Sequence, residues 1–140
     1  MNNNKFKEWK NLYQKLKLLR SKNILEECEK NIPKDSINQY KAYEIISDNL
    51  AEDDLVVVDG GGNVLFSALQ SLKLKGENRL ITGAGIGCMG SGIPESIGAA
   101  FSKNKRVICF IGDGSFQFNI QELQTIYHHR LNLIIILFNN

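Results

Sequence analysis

Gly112-Asp113-Gly114 and, after 24 further residues, Asn139-Asn140 are the residues of this chain whose types and spacing best suit chemistry. A carboxylate set between glycines and a pair of carboxamides are hard oxygen ligands. Magnesium usually takes only one or two groups from a protein and completes its octahedron with phosphate oxygens and water. The glycines let the backbone turn sharply and let a phosphate approach without meeting a Cβ. The residues between the two motifs read as a turn, a helix from 119 to about 129, and a strand over 133–138. Such a unit is a right-handed crossover that returns the chain to the sheet edge it left. The spacing therefore predicts Asp113 and Asn140 close together, able to hold a metal-bound diphosphate.

The elements that must position these groups follow from the apolar pattern. Leu55-Val56-Val57-Val58 is a short β-branched run that ends at Asp59-Gly60-Gly61-Gly62. A second strand is expected over 79–82 and a third over 106–111, each ending in a glycine-rich turn. Continuously apolar runs of this length suit strands buried on both faces of a parallel sheet. Helices are expected over 64–72 and 94–102, the second with Pro94 in its first turn. The fold class is therefore α/β, a parallel sheet with helices on both faces. Open sheets of this class bind ligands beyond the carboxyl ends of their strands, where every one of these turns lies. Upstream, Trp9, Leu12, Leu16 and Leu19 recur at helical spacing, so residues 5–31 read as a helix. Asp35 or Ser36 can cap the next one, through about Leu50. Residues 1–35 are read as a basic linker helix and 36–140 as the ligand-binding domain.

Composition narrows the function class. Lys and Arg number 17 against 15 Asp and Glu, a net charge of +2. Nine of the basic residues fall within 1–34, where glutamates interrupt them, which reads as a solvated face. Neither a nucleic-acid nor a membrane partner is expected. Cys28, Cys88 and Cys109 are odd in number and lack zinc-type spacing, so neither a disulfide framework nor a zinc site is expected. Met1-Asn2-Asn3-Asn4 leads into charged sequence, unlike a secretory signal, and a reducing cytoplasm is the expected setting. His128 and His129 end the helix before the last strand, where positive charge complements the helix dipole.

The stretch from Gly112-Asp113-Gly114-Ser115-Phe116-Gln117 to Asn139-Asn140 resembles the thiamine-diphosphate signature of the acetolactate synthase and pyruvate decarboxylase superfamily. Gly87-Cys88-Met89-Gly90-Ser91-Gly92-Ile93-Pro94 resembles the segment that precedes it in acetolactate synthase-like enzymes. Asp59-Gly60-Gly61-Gly62-Asn63 resembles the first diphosphate-side loop. The resemblance covers about residues 40–140 and implies the thiamine-diphosphate-binding fold of the pyrophosphate-side domain. It implies thiamine diphosphate and Mg²⁺ as cofactors, with Asp113 and Asn140 as metal ligands. Gly112, Gly114 and Ser115 would face the diphosphate, with Gly62 and Asn63 nearby, although many relatives carry Gln-His at those two positions. Met89 would support the bent cofactor, and Gly87 and Cys88 would meet its aminopyrimidine. A third metal ligand in the family is a carbonyl two residues beyond the second Asn, so the fold is expected to be incomplete at its C-terminus. The implied reaction is decarboxylation or carboligation of a 2-oxo acid. The activating glutamate of the family belongs to a pyrimidine-binding domain, supplied by another segment or chain, in a homo-oligomer. Glu95 and Glu122 lie on helices of this domain and are poor substitutes for it.

Two other readings compete. Gly85-Ile86-Gly87-Cys88-Met89-Gly90 matches the dinucleotide fingerprint, with Asp113 at the end of the next strand as a loosely spaced ribose ligand. That reading leaves Asn139-Asn140 without a role. A catalytically inactive fragment of the same family is the other.

Overall fold

The structure is a computed structural model that describes residues 3–29, 32–102 and 105–139. The chain divides into two compact units, Met1–Ala42 and Tyr43–Asn140. The first unit is dominated by α1 (Asn3–Glu29). Its side chains Phe6, Trp9, Leu12, Tyr13 and Leu16 are all exposed. No helix among the described residues is long and apolar enough to cross a membrane.

Helix α2 (Gln39–Asp48) spans the boundary between the units. Its start differs from the expected cap. Asn38 caps it, with Oδ1 accepting the N–H groups of Tyr40 at 2.8 Å and Lys41 at 3.3 Å. Asp35 lies in a turn further back, where Ser36 N–H bonds to Pro33 O. A carboxamide satisfies the free N–H groups of a first turn as well as a hydroxyl or carboxylate does.

The second unit is a four-stranded, all-parallel sheet in the order β2-β1-β3-β4. The strands are β1 (Leu55–Val58), β2 (Arg79–Ile81), β3 (Val107–Gly112) and β4 (Leu133–Phe138). Helix α3 (Gly62–Ser71) joins β1 to β2, and α4 (Gly92–Ser102) joins β2 to β3. Between β3 and β4 lie α5 (Asp113–Phe118), a 3₁₀ turn (Ile120–Glu122) and α6 (Leu123–His129). Side chains alternate between the faces of the sheet. Val56, Val58, Ile108 and Phe110 pack with Tyr43, Val64, Leu65 and Ala68 on one face. Val57, Val107, Cys109 and Ile111 face the other side, with Ile93 and Ala99 of α4. Tyr43 is fully buried; its hydroxyl donates to Val64 O at 3.0 Å and its ring lies 5.0 Å from Phe110. The sheet thus has helices on both faces, as its apolar runs require.

The expected helix over 119–129 is broken and begins earlier. The chain enters α5 at Asp113, directly after β3, with Gly112 extended at φ −81° and ψ 157°. Asn119, at φ −132° and ψ 31°, then interrupts the helix. Gly-Asp-Gly reads as a turn from local preference. The buried strand before it and the packing of Phe116 against the core carry it into helix instead.

Candidate functional site

From β1 the chain moves one way along the sheet to β2, then crosses back over β1 to reach β3. The carboxyl ends of β1 and β3 therefore flank the point where the winding reverses. Open sheets of this kind bind ligands at such a point, because the connections on its two sides leave toward opposite faces. Asp59-Gly60-Gly61 leaves one side and Gly112-Asp113-Gly114 the other. Neither α3 nor α5 has a side-chain hydrogen bond at its N-cap, Gly61 and Gly112 respectively.

Asp59 organises this edge. Its side chain is fully buried, and its own N–H donates to Phe110 O of β3. Oδ2 accepts the N–H of Gly61 at 2.9 Å, and Oδ1 accepts that of Gly92 at 2.9 Å. One carboxylate thereby ties the loop after β1 to the start of α4, across the switch point. Charge-assisted bonds of this kind are the stronger ones, and a buried carboxylate needs them.

The loops touch through their backbones. A Cβ on Gly60 would lie 2.6 Å from Cys88 O, and one on Gly61 would lie 2.7 Å from Ser115 Oγ and 3.3 Å from Met89 Cγ. Only glycine permits that approach. Gly61 from the loop after β1, Met89 from the loop before α4 and Ser115 from α5 therefore meet at one place. Gly90, at φ +87°, rests against Phe118, and its carbonyl accepts Asn119 Nδ2–H at 2.8 Å. The residue that breaks α5 thus holds the loop carrying Met89.

The predicted site residues are distributed as follows. Ser115 is buried, and Asp113 is half-buried at the first position of α5. Space is open beside Gly114, whereas a Cβ on Gly112 would stand in ordinary contact with Val64 Cγ2 at 3.6 Å. Gly87, Cys88 and Met89 are exposed on the 82–91 loop, Met89 by 58%. Gly62 and Asn63 are exposed in the first turn of α3. Asn140 lies outside the described residues. Gly112 pairs with Phe138 in the β3–β4 register, so Asn139 follows its strand at the level where Asp113 follows β3. His128 and His129 lie at the amino end of β4, on the far edge of the sheet, with His129 against Phe101 at 5.0 Å.

Two roles were not read from the sequence: Asp59 as a clasp and Asn119 as a loop anchor. A signal for Asp59 existed, since it ends an apolar run before glycine as Asp113 nearly does. Burial pushes the Glu95 carboxyl above its ordinary range, and Asp59's like charge adds to this, against the pull of Ser91 and the Gly83 N–H. Burial also pushes the Cys109 thiol up to about 12, so it stays protonated at neutral pH.

The arrangement suits an anionic, phosphate-bearing ligand held by a metal. Glycine backbone open to approach, two helix starts without side-chain caps, and the Asp113 carboxylate converge on one crevice. It does not suit a dinucleotide. In that motif the fingerprint strand neighbours the strand carrying the ribose-binding acid. Here β2 and β3 are separated by β1. Nor does a helix start within the glycine fingerprint, since α4 begins only at Gly92.

Comparison with known proteins agrees. Residues 60–140 match the family model described as thiamine pyrophosphate enzyme, C-terminal TPP binding domain. The large subunit of acetolactate synthase isozyme 1 from Escherichia coli is 35% identical over 112 residues, covering 78% of this chain and 20% of that protein. The acetolactate synthase large subunit of Porphyra purpurea is 40% identical over 111 residues, covering 78% of this chain and 18% of its own length. An uncharacterised protein of Methanocaldococcus jannaschii is 31% identical over 139 residues, 96% of this chain and 28% of that one. The chain spans about a fifth of the length of the acetolactate synthases it matches.

Proposed function

Because the chain belongs to the thiamine pyrophosphate enzymes, as their C-terminal TPP binding domain, we propose that it is the pyrophosphate-side part of an acetolactate synthase-like enzyme acting on 2-oxo acids. Asp113 and Asn140 hold Mg²⁺, and the ion holds the diphosphate. Gly112, Gly114 and Ser115 line the diphosphate on the β3 side, with Gly62 and Asn63 on the β1 side. Met89 supports the cofactor from below, with the Gly87 and Cys88 backbone beside its pyrimidine ring. When bound, thiamine diphosphate supplies the electron sink that lets a 2-oxo acid lose CO₂. This chain's part is to orient it and to present fixed dipoles to its charge.

The observation that carries this reading is the meeting of Gly61, Met89 and Ser115 at the switch point, with Asp59 clasping the loop after β1 to the start of α4. The activating glutamate comes from a pyrimidine-binding domain, in another segment or another subunit of a homo-oligomer. A cytoplasmic setting belongs to the same proposal, and the free thiol of exposed Cys88 is compatible with it.

Calorimetric titration of the full-length protein with thiamine diphosphate, with and without Mg²⁺, tests the site. Asp113→Ala is expected to weaken Mg²⁺-dependent binding by more than about 100-fold, since losses one shell further out already cost roughly 10–100-fold. Undiminished affinity would falsify the metal assignment.

A further inference from the structure

The 82–91 loop and the stretch that follows Asp113 share an exposed apolar surface at the carboxyl edge. Ile86 is 88% exposed and Phe118 is 62% exposed. Met89 and Ile120, which flank Gly90 and Asn119 in the chain, are exposed as well. The two stretches lie side by side. A Cβ on Gly90 would stand 2.7 Å from Phe118 Cβ, and Asn119 Nδ2–H bonds to Gly90 O at 2.8 Å. Neither residues 83–94 nor residues 114–121 include a charged residue. The loops at the amino edge are the reverse, with Asp53, Lys73, Lys75, Glu77 and Arg79 within two short turns. Charge depletion with aromatic and methionine side chains marks the core of an interface. A contiguous apolar patch, rather than scattered single residues, marks a surface that meets a partner.

We propose that Ile86, Phe118 and Ile120, around Met89, form the docking face for the pyrimidine-binding domain, which meets them through an uncharged, apolar face of its own. The proposal rests on the reading that this site binds thiamine diphosphate with its pyrimidine ring beside Gly87 and Cys88. That position selects the occupant. The activating glutamate must reach the ring, and Ile86 and Met89 adjoin Gly87 and Cys88 in the chain. Whatever carries the glutamate therefore lands on this surface. A second copy of the same surface would cover the ring without bringing a glutamate, since residues 83–94 and 114–121 hold none. A membrane or a nucleic acid would call for cations here, and these stretches hold none either. Phe118 backs onto Gly90, so a domain seated on Phe118 also presses on the loop that carries Met89. Docking and cofactor support thus share one contact.

Photo-cross-linking of the full-length protein tests the proposal, with p-benzoylphenylalanine placed at Ile86 or, separately, at Phe118. Irradiation followed by peptide mass spectrometry should join both positions to the pyrimidine-binding domain, in the same chain or in another subunit. The same probe at Phe101, exposed at the far side of the sheet against His129, should give no such product. Cross-links from 86 and 118 only to residues 1–140 of a second copy, or none at all, overturn the proposal. A second measurement is independent of the probe. The double variant Ile86→Asp, Phe118→Asp would place carboxylates against an apolar partner and should weaken thiamine diphosphate binding by about tenfold or more, with Phe101→Asp at the wild-type level. Wild-type affinity in the double variant overturns the docking face. A wild-type protein that does not bind thiamine diphosphate overturns the underlying reading instead, whereas intact binding without the cross-links overturns the docking face alone.

Discussion

Asp59 and Asp113 are both aspartates at strand ends beside glycine, yet the fold gives them opposite tasks. Asp59 is sealed and spends both oxygens on backbone N–H groups. Asp113 is half-buried and begins a helix beside open space. Replacing Asp59 by Asn keeps the shape but puts an N–H₂ against a backbone N–H, leaving one donor unsatisfied. The expected loss is about 1–3 kcal/mol in urea unfolding, together with weaker thiamine diphosphate binding, because the loops it clasps both border the site. A variant as stable and as tightly binding as wild type would show that the clasp is dispensable. Composition could not separate these two aspartates. The distinction arises only when Gly92, 33 residues away in sequence, arrives beside Asp59.

At the scale of elements, the strands were legible and the sheet order was not. Val56, Ile108 and their neighbours form runs too apolar and too branched for anything but a buried strand. The identity of the strand that crosses over β1 depends on right-handed connections and on which face each helix covers, and no single segment carries that information. Helix starts were the least legible. Asn38 rather than Asp35 or Ser36 caps α2, and α5 begins on a motif whose own preference is a turn. The break at Asn119 is functional in consequence, since its side chain anchors Gly90. Asn119→Ala should favour a continuous helix through 113–129 by local propensity while releasing the 82–91 loop. Cofactor affinity should fall by about tenfold at nearly unchanged stability, matching the roughly 1–1.5 kcal/mol of one hydrogen bond. Equal affinity in calorimetry would show that the anchor does not govern the loop.

At the scale of the whole sheet, binding and stability are assigned to opposite edges. The carboxyl edge carries the crevice, and the amino edge carries the tie between β1 and β3. There the Asp54 carboxylate, only 1% exposed, takes Arg106 Nη2–H at 2.6 Å and Nε–H at 2.8 Å, and it also accepts Ala51 N–H at 2.7 Å. Burial alone would raise the Asp54 pKa, but the Arg106 and Ala51 hydrogen bonds and the Arg106 charge outweigh it and hold the carboxyl below the ordinary aspartate value. A lowered folded value means that the pair contributes stability in full above the unfolded value of about 4. That contribution is lost as pH falls through the folded value. Asp54→Asn should therefore cost about 2 kcal/mol at pH 7, less than the roughly 3–5 kcal/mol of a fully buried pair, because Arg106 is about a third open to solvent. Urea titrations from pH 7 downward should show the gap between wild type and variant shrinking once the pH falls below about 4, where the unfolded carboxylate takes up its proton, and closing only below the lowered folded value, where the folded one does too. Thiamine diphosphate affinity at neutral pH should stay at the wild-type level, since the pair lies at the far end of β1 and β3 from Asp59 and Asp113. A variant that lost affinity in proportion to stability would mean that the two edges are coupled through the strands and that the separation fails.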